Sequence, residues 1–330
     1  MPLGTLLLAT SEEVHVPLDP EEELRYRHSL SIVIEDMVAR NGGFATRDDL
    51  FRFEVDGRPA RVMDFNRGIW NPAHLESTLS VVSDAEHGGR IWGANGKTYS
   101  DRINMDTGLL EYSFQDGDPT KGHNAKLRTA IRTGMPIFVL RKFGPNFYVP
   151  IFPSYVVGED LERRMVLIAM DDGIRSAYEV GASDALDKKY VERLVRERVH
   201  QPMFRALVMR AYTLPASAGA RRPTCAICSL QHVELLDAAH IIADAEDGEA
   251  RVTNGIALCK IHHAAYDEDL VGISPDYEVH VNHDLLQEVD GPMLTYGIQG
   301  MHLSKLVLPP READWPSREG LDQRFATFAR

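Results

Sequence analysis

The chain has 330 residues, 44% of them apolar and 26% charged, with a formal net charge of −13. That length leaves room for two domains and an extra arm, and the acidity argues against a protein that coats nucleic acid with its whole surface. No apolar run nears the roughly 18 residues that span a membrane. The start MPLGTLLLATSEE lacks a basic n-region, and the three cysteines form no disulfide framework, so a cytoplasmic protein without a membrane partner is expected.

Residues 20–41, PEEELRYRHSLSIVIEDMVAR and the following Asn, predict a helix, with acids in its first turn after Pro20 and Asn41-Gly42-Gly43 closing it. Leu24, Leu30, Ile34, Met37 and Val38 form an apolar stripe that fits either its own domain or a dimer interface. ATRDDLFRFEV then predicts a short helix or turn leading into a strand. From 50 to 172 the texture changes. LFRFEVDG, STLSVVS, GLLEYSF, PIFVLRKFG, FYVPIFPSYVV and RMVLIAM predict strands separated by Gly, Asn, Asp and Pro, with one helix at HNAKLRTAIRTG. A compact, partly closed barrel is expected.

The succession RGIWNP, LSVVSD, TYSD, TGLLEYSF and HNAKLRTAIRTGMPIFVLRKFGPNFYVPIFPSYVV resembles the SRA domain over about 100 residues. The resemblance implies a PUA-like barrel that flips and binds 5-methylcytosine or 5-hydroxymethylcytosine. It places Tyr99 and Tyr112 as the aromatic sandwich and Asp101 as acceptor for the cytosine amino group, with Trp70 lining the pocket or packing beneath it. Ordinary barrel core is the other reading of each tyrosine. The sequence departs from the pattern where Arg102 follows Asp101, at Asp116-Gly117-Asp118-Pro119, and in a Gly108–Tyr112 spacing one residue short.

Residues 176–215 predict mostly helix, with Pro202 marking a break and LPASAGARRP as a flexible lead-in to the next unit. Lys188 to Arg222 holds nine basic residues against two acidic ones. This is either a solvated helix face or a phosphate-contacting segment. Arg141 and Lys142 are further candidates for phosphate contact.

All three cysteines fall between Cys225 and Cys259. Cys225 with Cys228, and Cys259 with His262, form two pairs at the spacing of a Cys3His zinc site. Incidental buried thiols are the alternative, though a single segment holds them all. His240 ends the apolar run AAHII, Asn254-Gly255 make a turn, and His263 and Asp267 lie four apart on a predicted helix, hence on one face. His232, His280, His283 and His302 are expected at the surface.

The order AAHI, NGI.LC, HH..YD resembles the HNH nuclease motif over roughly 223–285. The resemblance implies a two-stranded ribbon and a helix around one Mg2+ or Mn2+, braced by a structural Zn2+. It makes His240 the general base, Asn254 the brace of its loop, and His263 with Asp267 the metal ligands. Many members carry a metal-binding Asp or His before the base. Here that residue is Ala239, so either Asp237 substitutes or water and phosphate complete the shell. The R-x-x-Q-x-x-F-R phrase at Arg198, Gln201, Phe204 and Arg205 resembles the helix upstream of such modules. KLVLPP predicts a strand, and SREGLDQRFATF a last helix.

The expected fold class is therefore α+β: a helical arm (1–45), an SRA-like β-barrel (46–175), a basic helical linker (176–222) and an HNH domain of the ββα-metal type with structural zinc (223–330). The two resemblances together imply an SRA–HNH modification-dependent, type IV-like restriction endonuclease, acting as a homodimer on double-stranded DNA that carries modified cytosine. Two rivals stand beside it: an HNH nuclease whose barrel reads another mark, such as phosphorothioate, and a non-cleaving reader with a purely structural zinc module.

Overall fold

The computed structural model describes residues 18–84, 90–92, 98–181, 185–216, 221–243 and 250–329, with the backbone alone for 90–92, 98–100 and 185–186. Helix α1 (Pro20–Arg40) opens on a capping box between Asp19 and Glu22. Leu30 and Ile34 are buried against the large sheet. Arg27, fully buried, pairs with Glu23 and donates to the carbonyls of Thr78 (2.9 Å) and Pro136 (2.8 Å). These contacts dock the helix on its own sheet.

That sheet has eight strands. In chain order the main path uses β1 (Ile69–Trp70), β2 (Ser80–Asp84), β3 (Arg102–Ile103), β4 (Leu110–Ser113), β5 (Ile137–Gly144), β6 (Phe147–Asp160) and β7 (Met165–Ala169). The spatial order is β1-β2-β5-β6-β7-β4-β3, and Ala45–Thr46 pairs with the start of β6. Only β2 and β5 run parallel. The long β6 joins the two halves, its first part pairing with β5 and its last with β7. The sheet curls enough for the Tyr112 hydroxyl on β4 to donate to the carbonyl of Gly68, just ahead of β1, at 3.2 Å. No strand pairing closes the ring among the described residues. Helix α2 (Gly122–Thr133) sets Leu127 and Ala130 into the core with Ile69, Val139 and Val166.

Helices α3 (Asp172–Val180), α4 (Ala185–Val195) and α5 (Gln201–Ala211) follow. The break expected at Pro202 is a π-helical turn over Arg196–His200, and the proline starts α5, where its missing N–H costs nothing. The expected flexible lead-in contains an antiparallel ribbon, Thr213–Pro215 with Arg221–Pro223. Helix α5 serves two cores. Phe204, Val208 and Met209 pack toward the C-terminal unit, and Ala206 packs with Phe44 and Phe143 of the sheet unit.

The C-terminal unit is built on β8 (Leu236–His240) and β9 (Gly255–Cys259), antiparallel and in register from Leu236↔Cys259 to His240↔Gly255. Helix α6 (Lys260–Asp267) follows directly, and α7 (Arg318–Phe328), capped by Ser317, closes the chain. Lys305, at the head of the expected strand KLVLPP, makes an isolated bridge to Glu278. His232 and His283 are exposed as expected, but His280 and His302 are half-buried, because His280 packs edge-on against both His302 and Phe325. No described helix is long and apolar enough to cross a membrane.

Candidate active site and metal centre

The knuckle Cys225–Cys228 and the β9–α6 junction bring four donors together. One ligand atom from each of Cys225, Cys228, Cys259 and His262 lies within 4.8 Å of the others. Cys228 Sγ is 4.0 Å from Cys259 Sγ, and His262 Nδ1 is 3.7 Å from Cys225 Sγ and 3.1 Å from Cys259 Sγ. A tetrahedron with Zn–S bonds of about 2.3 Å and a Zn–N bond of about 2.0 Å has edges of roughly 3.5–3.8 Å, so the donors fit a zinc ion. The Cys259 N–H donates to Cys225 Sγ (3.2 Å), and His262 Nε2 donates to the Gly297 carbonyl (2.8 Å), which leaves Nδ1 to face the sulfurs. Burial opposes charge on His262, but the adjoining Cys225 and Cys259 outweigh it and hold its pKa at about 10. Cys225 and Cys228 hold the Cys259 thiol well below its usual range.

His240 stands at the end of β8. Phe204 of α5 covers one face of its ring, with centroids 3.8 Å apart and planes at 11°. The turn after His240 is clamped by Asn254. Its Oδ1 accepts from the Ile242 N–H (2.9 Å), its Nδ2 donates to the Ile242 carbonyl (3.0 Å), and its own carbonyl accepts from Ile241 N–H (2.9 Å). Three hydrogen bonds from Asn254 to the backbone of Ile241 and Ile242 therefore fix the chain that leaves His240.

On α6, His263 Nε2 is 3.4 Å from Asp267 Oδ2, one helical turn on, and Nδ1 is 3.5 Å from Asp237 Oδ2 on β8. Ala239 is fully buried in the core and presents no donor. At 3.4 Å the nitrogen and oxygen on the Asp267 side are wider apart than the roughly 3.0 Å edge of an octahedral shell with bonds of about 2.1 Å, so a small side-chain movement would let the pair hold a hard divalent cation. Asp237 faces the opposite ring nitrogen, which suits an orienting role better than that of a third ligand to the same ion. Arg205 holds Asp237 in turn, with Nη1 3.6 Å from Oδ1 and 2.7 Å from the Leu236 carbonyl.

The predicted base pocket is brought together in part. Asp101 is 1% exposed. Its Oδ1 accepts from the Ser113 N–H (3.0 Å), and its Oδ2 is buried without a hydrogen-bond partner among the described residues. Burial pushes its pKa up to about 6, against the opposing pull of Ser113, Ser83 and Arg141. The bond to Ser113 sets Asp101 beside Tyr112, which is 4% exposed and packed with Ile69 and Val81. Tyr99 lies on the strand Thr98–Ser100, and its side chain is outside the described residues. Trp70 does not join the group. Ile69 faces the core of Tyr112, whereas Trp70, the next residue, packs on the α1 side with Arg61 3.9 Å above its ring. Arg141 is likewise no surface phosphate contact: it is buried and donates to Ser83 Oγ at 2.7 Å. Arg102, which departs from the SRA pattern, pairs with Glu111 across β3 and β4.

Sequence reasoning missed three of these relationships. They are the Phe204 cover, the Arg205–Asp237 pair and the Gly297 carbonyl on His262. Phe204 and Arg205 belong to the R-x-x-Q-x-x-F-R phrase, which signals the helix but not its contacts. Gly297 carries no sequence signal of its own.

Residues 225–274 match the family model described as HNH endonuclease. The match covers the zinc knuckles, β8, β9 and α6, and makes this module a metal-dependent DNA endonuclease. No curated protein matches the chain. Among solved structures, the chain is similar to the modification-dependent TagI restriction endonuclease, with 13% identity over 87% of this chain and 92% of that one and a TM-score of 0.25. It is also similar to the type IV phosphorothioation-dependent restriction endonuclease ScoMcrA, with 13% identity, 68% and 58% coverage and a TM-score of 0.25. At that TM-score neither likeness bears on the substrate of this chain.

Proposed function

We propose that the chain is a modification-dependent endonuclease: an SRA-like barrel at 46–175 extrudes and reads a modified cytosine in duplex DNA, and the HNH module cuts nearby. The observation that carries the reader half is Asp101, a carboxylate almost wholly buried with one oxygen unpartnered among the described residues. A buried orphan acceptor is costly unless a ligand supplies the donor, and the exocyclic amino group of cytosine is such a donor. Tyr112 forms a wall beside it, and Tyr99 is assigned the opposing ring. Extrusion costs a few kcal/mol, and stacking returns about 1–3 kcal/mol per aromatic contact. The C5 substituent then decides whether the balance is favourable.

In the nuclease half His240 takes the proton of the attacking water. Water oxygen bonds to phosphorus, the bond to the 3′ oxygen breaks, and the leaving oxygen collects a proton from solvent. Asn254 holds the loop that aims His240. His263 and Asp267 would hold the divalent ion, Mg2+ or Mn2+, and Asp237, beside Nδ1 of His263, would leave Nε2 free to serve as the ligand atom. When bound, the ion supplies charge stabilisation to the phosphate in the transition state. Cys225, Cys228, Cys259 and His262 hold Zn2+ as a scaffold. One HNH site cuts one strand, so cleavage of both calls for two copies, and a homodimer is the simplest way to supply them.

Cleavage of modified duplex by wild type and His240→Ala, with Mg2+ or Mn2+ added, tests the catalytic assignment. Loss of cleavage with DNA binding retained is expected. Cleavage at the wild-type rate by His240→Ala would remove His240 from the mechanism.

A further inference from the structure

Two adjoining cavities lie along the Thr213–Pro223 ribbon. The larger, of ≈ 530 Å³, is lined by Arg40, Arg221, Arg222, His232, Asp49 and Glu234 among others. The smaller, of ≈ 160 Å³, is lined by Arg210, Arg221, Val252, Arg311 and Asp314 among others. Thr213 and Arg221 border both, so the two cavities meet at the ribbon, and together they are treated as a groove. Five arginines face three carboxylates there, in a chain whose net charge is −13.

The acids are largely engaged. Asp49 accepts from Thr46 and Asn41, and Asp314 holds Arg311 at 3.7 Å. Arg221 donates to the Thr213 carbonyl (2.8 Å), and the Arg222 guanidinium has no hydrogen bond or ion pair among the described residues, while its backbone carbonyl accepts from Thr224 Oγ1. Elsewhere the basic segment is consumed locally: Arg198 pairs with Asp171, Lys188 with Asp106 and Arg205 with Asp237. Within the groove Arg40 pairs with Asp36 and Arg311 with Asp314, so the charge left there for a partner rests on Arg210, Arg221 and Arg222.

Its ends are informative. One reaches Arg40 and Thr46, where the chain enters the large sheet. The other reaches Val252, in the turn that ends at Asn254, whose side chain clamps the residues after His240. Small-molecule sites are mostly apolar with a few polar anchors, and this lining is the reverse.

We infer that this arginine groove seats the sugar–phosphate backbone of duplex DNA and leads it from the sheet unit to the HNH site. The contact is independent of sequence and of modification. The inference rests on the endonuclease reading but not on the reader assignment.

The test measures binding of unmodified duplex against salt concentration, by fluorescence anisotropy, in full-length protein carrying His240→Ala. Each phosphate contact contributes about 0.9 to the slope of log K against log salt. Arg221→Ala with Arg222→Ala is expected to make the slope shallower by about two, and Arg222→Ala alone by about one. Arg221→Lys with Arg222→Lys is expected to keep it. A control pair on an exposed hairpin, Arg52→Ala with Arg58→Ala, is expected to leave it unchanged. Zinc content confirms folding, and the ratio of modified to unmodified affinity reports separately on the reader. An unchanged slope in the alanine pair, or an equal loss in the control pair, overturns the inference.

Discussion

Phe204 lies flat against His240, ring on ring, 3.8 Å between centroids. The phenyl ring is itself 3% exposed and anchored in the C-terminal core, so it fixes the plane in which the imidazole sits. Phe204→Leu keeps apolar bulk but loses the flat surface. It is expected to slow cleavage on the order of tenfold, part of the 10²–10⁴-fold that a general base supplies, with KM little changed. Phe204→Ala is expected to cost about 3–5 kcal/mol of stability as well. Steady-state kinetics and thermal melts separate the two effects.

Gly255 makes that packing possible. It stands opposite His240 in the ribbon, and a Cβ there would lie 2.3 Å from Val208 Cγ2 and 2.9 Å from Phe204 Cζ. Gly255→Ala must push α5 off the ribbon. A destabilisation of about 1–3 kcal/mol is expected, with a cleavage defect larger than the loss of folded protein explains. Denaturant titration alongside cleavage rate checks this.

The residues proposed to bind metal or move protons are legible because such chemistry dictates type and spacing within one local segment. Cys225, Cys228, Cys259 and His262 sit where two short knuckles put them, and His263 and Asp267 share a helix face. What escaped depends on tertiary packing. Ala239 hid the role of Asp237, because only the β8–α6 contact shows which ring nitrogen of His263 it meets. Strand alternation places Ile69 and Trp70 on opposite faces, but which face holds Asp101 is set by the curl of the whole sheet. Arg141 read as a surface cation for the same reason.

The proposed zinc scaffold predicts all-or-none behaviour. Cys225 is fully buried and Cys259 nearly so, and both belong to the core that holds β8 and β9. Cys259→Ser, or treatment with a strong chelator, is expected to release one zinc per chain and unfold the module, since metal binding and folding are linked. Metal analysis with hydrogen exchange of residues 225–274 is the check. Zinc-free protein with a protected module would contradict the scaffold role.

Asp101 predicts a pH signature. Its pKa in the folded chain is about 6, above the 3.8 of an exposed carboxyl, chiefly through burial. The protonated form is therefore the one that folding favours. The stability it contributes is full below about pH 4 and is lost as pH rises through about 6. The rise corresponds to about 3 kcal/mol. Asp101→Asn is expected to abolish this slope, so that its stability relative to wild type grows across that window. Parallel melts of the two proteins at several pH values measure it. A constant difference would mean that Asp101 does not titrate there.

The most direct test of the central claim is cleavage of matched duplexes that differ only in carrying cytosine, 5-methylcytosine, 5-hydroxymethylcytosine or a phosphorothioate link, with Mg2+ or Mn2+ present. Wild type is expected to cut one or both of the modified-cytosine duplexes and to spare the unmodified one, and Asp101→Ala is expected to lose that preference while keeping its zinc. Equal cleavage of all four duplexes, or cleavage of the phosphorothioate duplex alone, would contradict it.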